Sequence, residues 1–131
     1  AGADPNGARF LDCDIEHWLT LTKLNVVAAM RNCHHFAAPM RARGRGGIIL
    51  VGSGACYSGG NFMAAYSACK AFELCFGEGL WAELRAYHVD VLYMVLGTTD
   101  TPALRALLAS KGMPVPAGLA SPDAVAAAGL A

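Results

Sequence analysis

The 131-residue sequence has no net charge, because its ten Lys and Arg are matched by ten Asp and Glu. A chain with neither sign in excess has no overall field to draw in DNA, RNA or an anionic membrane surface, so nucleic acid is not an expected partner. It also lacks an apolar run of the roughly eighteen residues that a membrane span requires, since Gly or polar residues interrupt each candidate. No C-x-x-C pair occurs, and the five cysteines (Cys13, Cys33, Cys56, Cys69 and Cys75) show no compact disulfide spacing. An odd, scattered set of thiols implies small buried side chains in a reducing, cytoplasmic setting. Cys33-His34-His35 places three ligand types side by side, but adjacent helical residues point in different directions and cannot converge on one ion. No metal site is expected. The sequence starts without Met and stops at Leu130-Ala131 inside a helical pattern, so the lack of a signal peptide carries no weight.

Apolar side chains are plentiful, at 55% of residues against 15% charged, and the length suits about one domain. Residues 1–14, rich in Gly, Asp, Pro and Asn, read as a loop. Asp14 is a suitable N-cap for a helix over about 15–41. Ile15, Trp18, Leu19, Val26, Met30, Cys33, Ala37 and Met40 would line one face of it. Gly-rich residues 41–47 turn the chain into Ile48-Ile-Leu-Val51, a short apolar run that predicts a strand buried on both faces. A Gly/Ser loop over 52–63 precedes a second helix over about 65–87, with Phe72, Cys75, Phe76, Leu80 and Leu84 on its apolar side. Gly77 and Gly79 weaken that helix intrinsically and permit a close neighbour.

Val89 to Val95 is the second buried strand. A turn over 97–101, a helix from Pro102 to about Ser110, and a last helix capped by Ser121 with Pro122 at its first position complete the pattern. Strand, helix, strand in that order predicts a right-handed βαβ unit and an α/β fold. Two strands bury too little surface to stand alone, so residues 1–131 are expected to be part of one larger domain.

Tyr66-Ser-Ala-Cys-Lys70 sets a phenol and an ammonium four residues apart at the start of the second helix. That spacing leaves them about 6 Å apart along the axis on one face. At an effective dielectric near 20, a positive charge at that range stabilises a phenolate by about 2–3 kcal/mol. The pair suits acid–base chemistry. Ser53 stands thirteen residues before Tyr66, directly after the first strand, at the sheet edge where open α/β folds bind ligands.

These residues resemble the short-chain dehydrogenase/reductase family. Its Tyr-x-x-x-Lys matches Tyr66 and Lys70, its serine matches Ser53, and its helical asparagine matches Asn25. Its Pro-Gly-x-x-x-Thr segment matches Leu96-Gly97-Thr98-Thr99-Asp100-Thr101, with Leu96 in place of the proline; Ala1-Gly2 looks like the end of its Asn-Asn-Ala-Gly motif. The resemblance runs in order along nearly the whole chain.

It implies the C-terminal catalytic part of a Rossmann-like, doubly wound parallel sheet. The implied reaction is hydride transfer between NAD or NADP and a carbonyl or secondary alcohol. Tyr66 would exchange the hydroxyl proton, Ser53 would polarise the substrate oxygen, and Lys70 would bind the nicotinamide ribose. Asn25 would hold a water while distorting its helix, and Gly97, Thr98 and Thr101 would contact the cofactor. Residues 102–117 would form a substrate lid, and the two long helices would mediate homo-oligomer contacts. Apart from the resemblance, Leu104, Leu107, Leu108 and Met113 make that segment apolar, which suits an apolar substrate, and Phe62 and Met63 just before Tyr66 are placed to touch it. The family's phosphate-cradling Gly-rich turn has no counterpart in this sequence.

Two other readings remain. Gly52-Ser53-Gly54 invites a serine-hydrolase reading, but the elbow pattern is G-x-S-x-G followed at once by a helix, and His88 has no clear orienting Asp. The alternative within the family is a non-catalytic fragment serving as an interaction or dimerisation module.

Overall fold

The computed structural model describes Asp4 and residues 6–131. Asp14 caps the first helix as expected, its Oδ1 accepting from Glu16 N at 2.8 Å. The predicted single helix is instead three segments: α1 (Ile15–Thr22), a π turn (Lys23–Val27) and α2 (Ala28–Arg43). The π turn inserts about one residue into the helical register, which rotates the following face. Buried positions run Trp18, Leu21, Asn25, then Cys33 and Ala37, roughly one residue later than an unbroken 3.6 period. Met30 is accordingly exposed, and Ile15 and Leu19, which precede the π turn, are exposed as well, so none of the three is on the buried face. Gly44 ends α2 with φ 69°, the left-handed conformation that Gly adopts without a side-chain clash. Within the expected N-terminal loop, Phe10–Asp12 form a 3-10 turn.

Strand β1 (Gly46–Val51) pairs in parallel with β2 (Val89–Met94), in register from Gly46 opposite Val89 to Val51 opposite Met94. The crossover between them is α3 (Ala64–Leu84). A 3-10 turn (Arg85–Tyr87) and His88 at φ 56° replace the last turn predicted for this helix and aim the chain back into β2. Gly77 lets α3 approach the sheet: a Cβ there would stand 3.0 Å from Leu50 Cδ1 and 3.6 Å from Tyr93 Cβ. Gly79 has open space around it.

The core gathers Ala37, Leu84 and Val89, with Met40, Ile48, Leu80 and Val91 packed against them. The strands are covered on one face, not on both as expected, since Ile49, Val51 and Leu92 are exposed. Helices α2 and α3 pack on the same side of the sheet, leaving the opposite side to whatever completes the domain. Cys33, Cys56 and Cys69 are buried, but Cys13 is half-buried and Cys75, placed on the apolar side by its periodicity, is exposed. Helices α4 (Pro102–Ser110) and α5 (Pro122–Leu130) follow, capped by Thr101 and Ser121. Among the described residues, no helix is long and apolar enough to cross a membrane.

Candidate active site

Ser53 leaves the carboxyl end of β1 in an extended conformation and caps a 3-10 turn (Gly54–Tyr57), its Oγ accepting from Ala55 N at 3.2 Å. That bond fixes the oxygen through a lone pair and leaves the hydroxyl proton free to donate. Ser53 N donates to Tyr93 Oη at 3.4 Å, and Tyr93 Oη donates to Lys70 O at 3.0 Å. The phenol of β2 thereby links the turn after β1 to helix α3. Gly52 makes room for it, since a Cβ there would fall 2.2 Å from the Tyr93 ring. Burial raises the Tyr93 phenol above its ordinary range; of the smaller influences, the Ser53 backbone bond acts the other way. Tyr93 is therefore a structural hydrogen-bonding group. The sequence carried a signal for it, because a Tyr inside an apolar strand needs a partner for its hydroxyl.

Tyr66 stands in the first turn of α3, with Lys70 one turn later. Lys70 Nζ is 5.9 Å from the Tyr66 ring centroid. The ammonium is buried, donating to Val51 O at 3.1 Å and to both carboxylate oxygens of Glu73, at 3.2 and 2.9 Å. Sequence reasoning missed Glu73. It is three residues after Lys70 and seven after Tyr66, so all three share one helical face, and a charge on that buried face was the available signal.

Asn25 sits at the centre of the π turn at 1% exposure. Its Nδ2 donates to Leu21 O at 3.0 Å, and its Oδ1 is buried without a partner among the described residues. The local helix distortion anticipated at Asn25 is present. Cys69 Sγ, 3.9 Å from Thr22 Oγ1, joins α3 to the end of α1 beside it. Burial, the largest influence on the Cys69 thiol, raises it.

Ser53 and Tyr66 share the wall of a cavity of about 780 Å³ with Gly97, Thr98 and Thr101. Asn25 and Lys70, both buried, are not part of that lining. The Gly97 flank is open, with nothing within 4 Å of where a Cβ would be. Thr98 O accepts from Ala120 N at 3.4 Å and Asp100 N donates to Ala120 O at 2.9 Å, an isolated parallel bridge between Thr99 and Ala120 that holds the segment before α4. Asp100 makes a two-pronged pair with Arg105, at 2.6 and 2.7 Å, which holds its carboxyl below the usual range. Thr101 Oγ1 accepts from Leu104 N at 3.2 Å, leaving its own proton for another acceptor.

The remaining wall is largely apolar, with Phe62, Met63, Leu104 and Leu107 facing the same space. Phe62 has φ 64° and lies between two cations, its ring centroid 5.3 Å from Arg9 and 5.8 Å from Lys111. Lys111 Nζ also donates to Gly7 O at 2.8 Å, which ties the segment just after α4 across the cavity to the N-terminal loop. His88 precedes β2 while Ser53 follows the far end of β1, so the two are separated by a strand's length, roughly 20 Å. That separation removes the hydrolase reading. Ala1 and Gly2, matched above to a family motif, lie outside the described residues.

Residues 1–112 match the family described as short chain dehydrogenase. The 7β-hydroxysteroid dehydrogenase of Collinsella aerofaciens is 36% identical over 84 residues, which are 64% of this chain and 32% of that protein. A short-chain dehydrogenase from Sphingobium yanoikuyae, solved with NADPH, is similar with a TM-score of 0.79 at 25% identity, over 94% of this chain and 48% of that one. A gluconate 5-dehydrogenase from Burkholderia cenocepacia, solved with NADP and tartrate, gives 0.72 at 25% identity, over 77% and 40%. The chain spans about a third of the length of that curated relative and up to about half of those solved chains. Its two-stranded sheet is thus an incomplete Rossmann-like domain.

Proposed function

The chain belongs to the short-chain dehydrogenase family, and from that membership and the site geometry we propose that the whole protein transfers hydride between NAD or NADP and a carbonyl or secondary alcohol. The observation that carries this is the shared cavity: Ser53 and Tyr66 line it together with Gly97, Thr98 and Thr101. Gly97, Thr98 and Thr101 would hold the nicotinamide end of the cofactor, since nothing crowds the Gly97 flank and Thr101 keeps a hydroxyl proton to donate. When bound, the cofactor supplies or accepts the hydride.

The chain's own residues handle the oxygen and its proton. Ser53, its Oγ fixed by Ala55 N, donates its proton to the substrate oxygen. Tyr66 gives a proton to that oxygen in reduction and takes one in oxidation. Donors aimed in advance at developing negative charge stabilise it without reorganising at the moment of reaction, and one such donor contributes about 10²–10³ in rate. Lys70, one turn behind Tyr66, holds the ribose hydroxyls and keeps a positive charge near the phenol. Asn25, with its unpartnered Oδ1, holds the water through which protons reach solvent.

The substrate is an apolar small molecule. Phe62, Met63, Leu104 and Leu107 give the cavity its apolar wall, with Asp4 as the charged member of the lining, and a hydroxysteroid is the substrate named for the Collinsella relative. Turnover of the whole protein should appear as a nicotinamide absorbance change with apolar secondary alcohols or their ketones. Absence of any change across such a panel, with either cofactor, would leave the non-catalytic module in its place.

That second reading has one observation in its favour. Helices α2 and α3 border a groove of about 420 Å³ lined by Met30, Ala37, Phe76 and Leu80, with Phe36 and Trp81 exposed on the same helices. Homo-oligomer contact through these helices is compatible with either function, and sedimentation of the whole protein as a monomer would exclude it.

A further inference from the structure

Phe62 lines the cavity with its backbone at φ 64°, a left-handed conformation that is strained for a bulky residue and marks a place where the direction of the side chain matters. Two cations stand over its ring, with Arg9 Cζ 5.3 Å and Lys111 Nζ 5.8 Å from the centroid. One comes from the N-terminal loop and the other from the turn after α4. Lys111 Nζ also donates at 2.8 Å to the carbonyl of Gly7, a second residue of the cavity wall. Gly7 permits that approach, since a Cβ there would stand 3.0 Å from Nζ. Like charges drawn to one ring repel each other, so a countercharge is expected. Among the described residues, no carboxylate forms an ion pair with either cation, and Ala1, Gly2, Ala3 and Pro5 carry no acidic side chain. Asp4, the acidic residue of the wall, is engaged elsewhere: its Oδ1 accepts from Asn6 N at 3.0 Å and lies 3.3 Å from His17 Nε2.

We propose that Arg9 and Lys111 form a subsite for an anionic group of the substrate, which is then an apolar secondary alcohol or ketone ending in a carboxylate. The carboxylate accepts charge-assisted hydrogen bonds from the guanidinium and the ammonium and relieves the repulsion between them. Phe62 and the apolar wall hold the stem of the molecule, while Ser53 and Tyr66 act on its reacting oxygen. Fixing the charged end sets which carbon along the stem reaches them. This subsite rests on the cavity being the substrate site.

The probes are straight-chain carboxylic acids of increasing length with a secondary hydroxyl beside the terminal methyl, and their methyl esters. Each is titrated into the whole protein by calorimetry with NADH or NADPH present, so that the alcohol is not consumed. At low salt the tightest acid should bind about tenfold better than its ester, and added salt should erode that preference. Arg9→Met combined with Lys111→Met should abolish the preference and leave the dissociation constant of the ester unchanged. Equal binding of acid and ester by the unaltered protein overturns the proposal, and so does a series in which no acid binds. Equal losses for acid and ester in the double variant also overturn it, because two cations that merely clasp Phe62 and Gly7 would give that result. Weaker NADH or NADPH binding by the double variant with no acid present would assign the cations to the cofactor phosphates, again overturning it. Should the double variant fail to fold, the preference of the unaltered protein and its salt dependence still decide. Turnover separates the two failures. An acid that binds with the preference but gives no absorbance change with NAD or NADP removes the oxidoreductase reading and leaves the anion subsite; turnover of acid and ester with equal affinity does the reverse.

Discussion

At the scale of single residues, the site depends on hydrogen bonds that leave particular protons free. Ser53 Oγ accepts from Ala55 N and keeps its donor; Tyr93 Oη accepts from Ser53 N and donates to Lys70 O, so it is fully used. Tyr93→Phe would retain the ring that fits against Gly52 and delete both bonds. The expected cost is about 1–2 kcal/mol of stability, with a several-fold loss of turnover as Ser53 loosens and little change in cofactor affinity. Denaturant unfolding and steady-state kinetics on the whole protein check it; unchanged turnover would assign Tyr93 to packing alone. Tyr66, Lys70 and Ser53 were legible in the sequence because their spacing is local or tied to a strand end. Tyr93 signals that its hydroxyl needs a partner, but the identity of those partners was not legible, because they lie 40 and 23 residues away. Glu73 is near in sequence, but its pairing follows from burial, and burial depends on the sheet beneath α3.

At the scale of elements, two departures from simple periodicity position the site. The π turn at Lys23–Val27 turns Asn25 inward and shifts the buried face of α2. Hydrophobic spacing alone cannot show this, since a helix with one inserted residue has the same apolar content as a regular one. The resemblance at Asn25 anticipated the distortion, whereas the periodicity placed Ile15, Leu19 and Met30 on the wrong face. The second departure is the pair of glycines in α3. A Cβ at Gly77 would stand 3.0 Å from Leu50 Cδ1, whereas Gly79 has free space and negative φ. Gly79→Ala should stabilise the whole protein by about 0.5–1 kcal/mol through helix propensity, and Gly77→Val should destabilise it by about 1–3 kcal/mol through overpacking. Urea midpoints measure both. Similar shifts of one sign would mean that α3 does not approach the sheet at Gly77 as described.

At the scale of the whole molecule, the parallel βαβ order was readable from strand–helix–strand alternation, and so was the need for more sheet than these residues supply. The exposed face carrying Ile49, Val51 and Leu92 expresses that need in the structure. What unites the molecule functionally is that the carboxyl end of β1, the start of α3 and the segment before α4 meet around one cavity. The central claim is that Ser53 and Tyr66 act there on a single substrate oxygen. A double-mutant cycle of Ser53→Ala and Tyr66→Phe in the whole protein, read as kcat/KM at saturating cofactor, tests this most directly. Groups that act as a unit are strongly non-additive. Tyr66→Phe alone should cost roughly 10³-fold or more and Ser53→Ala about 10²-fold, and the double variant should lose little beyond Tyr66→Phe. Losses that multiply in full would show the two side chains working independently, and the shared-oxygen account would be wrong.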